Sequence, residues 1–177
     1  MPPRRSDADR IGAIETLVCR DVGRGTSELI RASAGELTAA ARALAGARRV
    51  GLITGFFVPR DAVAAPETDG PVGTALLAAA LAACGVPARI AVDTPCAGGV
   101  RAAVDAVGVP VGVDEVGVDD RAGMDRVIDD WRRAGVSHAV AIERCGRSAD
   151  GRPRNMRGVD VGQWTAPLDD LFLAGPW

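Results

Sequence analysis

The sequence predicts an α/β fold, an open parallel sheet of about four to five strands flanked by helices. Three observations point there. Short apolar runs at Val50–Ile53, Arg89–Val92 and His138–Ile142 have strand length. The first is unbroken by polar residues, the mark of a strand buried on both faces. Longer segments of helical periodicity fall between the runs, as crossovers between parallel strands require.

Residues 9–20 and 27–45 read as helices. In the second, Leu29, Ile30, Leu37, Ala40, Ala41 and Leu44 recur at helical spacing, Ser27 or Thr26 suits the N-cap, and Gly46 closes the end. Strand 50–53 is followed by a polar, Pro-containing loop of about fifteen residues, long enough to carry function. A helix over 71–84 begins with Pro71, whose missing N–H would be unpaired at a first helical position anyway. Strand 89–92 and a helix over 98–107 come next. The Val/Gly run 107–118 holds an irregular strand, and helix 121–134 passes through Gly135 into strand 138–142. There is no internal repeat. The 177 residues suit a single domain, 1–46 forming N-terminal helices and 47–177 the sheet and its loops. The apolar tail from Leu168 to Trp177 either folds back on the sheet or docks on another chain.

With 47% hydrophobic and 25% charged residues the chain can build a core, which excludes disorder and fibres. A net charge of −2 gives no electrostatic case for nucleic acid or an anionic membrane. All 21 basic residues are arginine, tyrosine is absent and His138 is the single histidine. Schiff-base lysines and a phosphate-loop lysine are thereby excluded. Cys19, Cys84, Cys96 and Cys145 form no CxxC pair and have no zinc-ligand spacing. No apolar stretch of signal length follows Met1, and the run Ala75–Cys84 is half of what a membrane span needs. These features predict a cytoplasmic protein with reduced thiols.

In an open α/β sheet, ligands bind beyond the carboxyl ends of the strands, so chemistry belongs in the loops there. Thr54-Gly55-Phe56-Phe57 follows the first strand, where a glycine lets backbone N–H groups approach an anion; a plain tight turn explains it as well. Glu67-Thr68-Asp69-Gly70-Pro71 gathers two carboxylates and a hydroxyl before a helix. Capping by Asp69 or Thr68 accounts for one of them and leaves Glu67 unexplained. The third loop follows strand 138–142: Glu143-Arg144-Cys145-Gly146-Arg147-Ser148-Ala149-Asp150-Gly151, then Asn155-Met156-Arg157-Gly158. Its arginines suit bidentate capture of carboxylate groups, while a solvated loop turning at Asp150-Gly151 does not require Glu143. Asp93-Thr94 with Cys96 to Gly99 is a weaker anion cradle, and His138 at a strand start reads as structural. An Arg-rich loop would lower the Cys145 pKa, but no histidine stands near to act with it.

These stretches, Val50 to Pro59, Pro66 to Pro71, Ile142 to Gly151, Asn155 to Gly158 and Thr165 to Asp169, occur in the order in which the D-glutamate cyclase family carries them. The chain resembles that family over about residues 50–170, its N-terminal half, with a Rossmann-like half-sheet. The family's aromatic residues before the Asn-Met-Arg stretch are replaced by Arg152-Pro153-Arg154. The resemblance implies conversion of D-glutamate, or a glutamate-like amino acid, to 5-oxo-D-proline with loss of water. Glu67, Asp69 and Glu143 are the implied catalytic carboxylates. Thr54, Gly55, Thr68, Gly70, Arg144, Gly146, Arg147, Asp150, Asn155 and Arg157 are the implied substrate-binding set. Asp69 and Glu143 are candidate ligands for a divalent cation, Mn2+ or Mg2+, and no nucleotide cofactor is expected. A second polypeptide carrying a C-terminal half, or a homo-oligomer, is the expected partner, besides a small amino-acid or dicarboxylate substrate. A different lactam or lactone, or dicarboxylate binding without turnover, are the alternatives.

Overall fold

The computed structural model describes residues 6–23, 25–60 and 63–177, so the N-terminal segment Met1–Arg5, searched above for a targeting signal, lies outside the described residues. Two compact units emerge, one ending at Gly46 and one running from Ala47 to Trp177.

The first unit holds α1 (Asp7–Val18), α2 (Ser27–Ala32) and α3 (Glu36–Ala45). Helix α1 starts two residues before its expected first residue because Ser6 and Asp9 form a reciprocal capping box. The predicted helix 27–45 is two helices. Gly35 sits at φ +88° between them and breaks the ladder. Thr26 occupies the N-cap of α2 but makes no side-chain cap there. The α3 N-terminus is capped instead from α1, where the Glu15 carboxylate accepts from the N–H groups of Gly35 and Leu37.

The second unit is built on a parallel sheet of β1 (Val50–Thr54), β4 (Ala88–Asp93), β5 (Gly112–Val116) and β6 (His138–Ile142), in the order β5-β4-β1-β6. Every residue of β1 is buried, as its unbroken apolar run requires. The expected loop after β1 contains instead an antiparallel hairpin, β2 (Phe57–Arg60) with β3 (Val63–Pro66). Helix α4 (Asp69–Ala83) starts two residues earlier than expected, with Pro71 still in its first turn, where its missing N–H costs no bond. Helix α5 (Thr94–Val107) starts four residues earlier, directly off β4. The strand in the Val/Gly run is β5. Helix α6 (Arg121–Ala134) and β6 have the predicted bounds.

The connections from β1 to β4 to β5 step one way across the sheet, and the connection through α6 to β6 steps back past β1. With right-handed crossovers, that reversal puts α4 and α5 on one face and α6 on the other. Under α6 lies a core of Ile53, Ala91, Val116, Met124, Val127, Ile128 and Trp131. Trp131 is wholly buried, and Gly51 on β1 leaves the space it fills, since an added Cβ there would lie 2.0 Å from the indole. Truncating Trp131 to alanine would cost about 3–5 kcal/mol.

The tail folds back over this face. After a short 3₁₀ turn, α7 (Asp170–Ala174) buries Leu171, with Leu168 buried just before it, and the Trp177 ring meets Trp131 edge-on at 5.9 Å. The Trp177 indole N–H donates to the Leu171 carbonyl at 2.9 Å. That settles the expectation for the tail in favour of folding back. No helix among the described residues is long and apolar enough to cross a membrane.

Candidate active site

The strand order reverses between β1 and β6, and a crevice opens beyond their carboxyl ends at such a switch point. Thr54 ends β1, Glu143 follows β6, and the β3–α4 junction supplies Glu67, Thr68, Asp69 and Gly70. Register places Thr54 directly beside Ile142, so the ends of β1 and β6 are level.

Carboxylate oxygens of Glu67, Asp69 and Glu143 lie within 4.8 Å of one another. Burial and then the charges of Asp69 and Glu143 raise the Glu67 pKa above the ordinary glutamate value. Glu143 is the one non-glycine among the described residues with positive φ, at +45°. A left-handed backbone costs an ordinary residue roughly 1–2 kcal/mol, so surrounding structure must hold it there.

Gly70 permits that packing. A Cβ at Gly70 would lie 2.9 Å from Thr54 Oγ1 and 3.0 Å from Glu143 Cβ. Thr54 Oγ1 is fully buried and has no hydrogen-bond partner. Thr68 occupies the N-cap of α4 without capping it, and Asp69 instead accepts from the Gly70 N–H at 2.9 Å. The Gly70 N–H, in the first turn of α4, thus meets the Asp69 carboxylate at the positive end of the helix.

Arg144 has a different place from the substrate clamp expected of it. Its side chain is 4% exposed beside Asp93 at 2%. Nη1 donates to Asp93 at 2.8 Å and to the Gly55 carbonyl at 2.9 Å, and Nη2 donates to the Ala166 carbonyl at 2.6 Å. The Ala166 N–H completes the knot by donating to Asp93. One buried ion pair therefore ties the ends of β1, β4 and β6 to the folded-back tail, immediately next to strained Glu143. The Gly55 carbonyl is part of this knot.

The rest of the third loop is braced locally. Arg147 donates to Asp169 at 2.6 Å and pairs with Asp170. Gly146 and Arg147 line a cavity of about 290 Å3 together with Cys145, Thr165 and Asp169. Burial pushes the Cys145 thiol up against the opposing effect of Arg144, which overturns the lowered pKa expected from the arginine-rich loop. Asp150 accepts from Arg152 and Arg154, and Asn155 accepts from the N–H groups of Arg157 and Val159, closing a turn. Arg157 is exposed. Asp93, Asp169 and Asp170, the partners of these arginines, were not singled out with them. The one local signal was Asp93 itself, an acid directly after the apolar run Ile90–Val92.

A family model described as D-glutamate cyclase-like, C-terminal, matches residues 14–176. The chain belongs to the D-glutamate cyclase-like family. The human protein named D-glutamate cyclase, mitochondrial, is 32% identical over 179 aligned residues, covering 96% of this chain and 29% of the human protein. The chain thus spans less than a third of that relative's length. The family's description is of a C-terminal segment, which corrects the N-terminal assignment made from the motifs.

Proposed function

We propose that this domain closes D-glutamate, or an amino acid built like it, into its lactam with loss of water. Family membership supports the reading, and one observation carries it: Glu67, Asp69 and Glu143 converge at the switch point of the sheet.

In this reaction the amine nitrogen attacks the side-chain carboxyl carbon, a C–N bond forms, a C–O bond breaks and the oxygen leaves as water. The substrate's ammonium must give up two protons, one of them before nitrogen can attack, and the departing carboxylate oxygen must take up two to leave as water. Glu67, its pKa raised by burial and by two neighbouring carboxylates, is the group suited to carry protons nearer neutral pH. Asp69 and Glu143 draw the substrate's ammonium end into the same field. The exposed Arg157 of the loop after β6 is assigned to the substrate's α-carboxylate, while Arg144 and Arg147, both held in ion pairs, support that loop. Holding the amine against the carboxyl carbon contributes up to about 7–11 kcal/mol in well-oriented intramolecular reactions.

An all-oxygen donor set suits a hard divalent cation such as Mn2+ or Mg2+, which Asp69 and Glu143 would hold, with Glu67 adjoining. When bound it would polarise the carboxyl group under attack.

The test is proton NMR of the purified chain with D-glutamate and Mn2+, with L-glutamate alongside. Appearance of 5-oxoproline lines is the expected result. Unchanged D-glutamate lines at catalytic protein concentration over a day would overturn the reading.

A further inference from the structure

Beside the carboxylate cluster, between β3, the start of α4 and the middle of α5, lies a cavity of about 310 Å3. Pro66, Pro71, Gly99, Ala102 and Ala103 give it an apolar wall, and Glu67 is its one charged lining residue. The hole therefore adjoins the acidic cluster through Glu67, whose carboxylate lies within 4.8 Å of those of Asp69 and Glu143. Its size sits at the small end of ligand sites, enough for a short unbranched chain. Small residues on α5 keep it open: a Cβ at Gly99 would meet only Pro71, at 3.9 Å.

We propose that this cavity is the hydrocarbon subsite of the active site, receiving the methylene chain of a primary-amine substrate whose ammonium group pairs with Glu67. The charge decides which group sits at the cluster. A carboxylate end would meet three acidic groups, whereas an ammonium end is attracted by all of them. The assignment rests on the cyclase reading only in taking the cluster as the place of chemistry, and it defines the substrate class as amino acids whose methylene chain beyond the amine-bearing carbon is unbranched. Gly99, Ala102 and Ala103 then set how long that chain can be.

The experiment titrates the full chain, without added metal, with methyl-, propyl- and pentylammonium chloride by ligand-observed NMR. Each methylene that enters the cavity should tighten binding about fourfold. Gly99→Leu, at a position with room for a side chain, should flatten that series, and Ala102→Leu provides a second filling variant. Glu67→Gln should weaken every member by a similar factor and leave the slope unchanged. Affinity independent of chain length, or a slope untouched by both filling variants, would overturn the proposal. D-Glutamate turnover measured on the same samples separates the two ideas: a length series without turnover counts against the cyclase reading alone, and turnover without a length series counts against the subsite alone.

Discussion

Replacing Gly70 with alanine isolates the packing that holds Glu143. The added Cβ would sit 2.9 Å from Thr54 Oγ1 and 3.0 Å from Glu143 Cβ, with the Glu143 carbonyl at 3.5 Å. Relaxed contacts lie at about 3.5–4.0 Å, so Thr54 and Glu143 must move by roughly half an ångström or more. Overpacking of this kind costs about 1–3 kcal/mol. Alanine's helix preference returns about 1 kcal/mol, leaving a net loss of roughly 0–2 kcal/mol. For a chain of this size that lowers Tm by up to about 8 °C. Activity should suffer more, because a misplacement of about 1 Å in a reacting geometry costs on the order of 100-fold. Gly73→Ala is the internal control, one turn further along α4, where the new Cβ meets only Ile142 Cγ2 at an ordinary 3.7 Å. It should raise Tm by a few degrees, about 2–4 °C per kcal/mol, and leave turnover intact. Thermal melts and 5-oxoproline formation read both effects. Equal behaviour of the two variants would refute the claim that Gly70 is there for Glu143.

Arg144→Met should leave Asp93 as an unpaired buried charge and cost about 3–5 kcal/mol, with most of the loss recovered in the double variant Arg144→Met/Asp93→Asn, as read by urea unfolding. Glu143→Gly removes the left-handed strain as well as the carboxylate, so it should melt above Glu143→Gln by up to a few degrees while both lose turnover. Among the thiols, exposed Cys19 and Cys84 should label first at pH 8. Burial, and then the charge of Asp93, pushes Cys96 up to about 12, and burial also raises Cys145, so their thiolate fractions are small at pH 8 and grow as pH rises. Mass-spectrometric mapping that finds Cys145 labelled first would restore it as a nucleophile candidate.

How far the sequence alone reached depends on how local each signal is. Helix α6 and strand β6 were legible to the residue, because Asp120 caps one end of the helix and Gly135 closes the other in the left-handed conformation. The hairpin β2–β3 was hidden by its short strands and by Pro59 and Pro66, which read as loop, although prolines are tolerated in such edge pairs. The split between α2 and α3 had its signal in Ser33-Ala34-Gly35, outweighed by the apolar spacing on either side. Glu67, Asp69 and Glu143 stood out in the sequence because each lies at a strand end or helix start, and the fold brings their carboxylates within 4.8 Å of one another. Arg144 was misplaced as a clamp because its burial depends on Asp93, 51 residues away, and on the returning tail. Asn155 carried a local turn signal in Asn-Met-Arg-Gly, and the Gly158 N–H does donate to the Asn155 carbonyl.

The most direct measurement is turnover of D-glutamate by Glu67→Gln, Asp69→Asn and Glu143→Gln, singly and in pairs, with Tm recorded for each. If the three carboxylates work as one site, each single change should lower kcat/KM by about 100-fold or more, and each pair should be little worse than its worse member. Undiminished turnover in any pair, with the fold intact, would contradict the assignment of chemistry to this cluster.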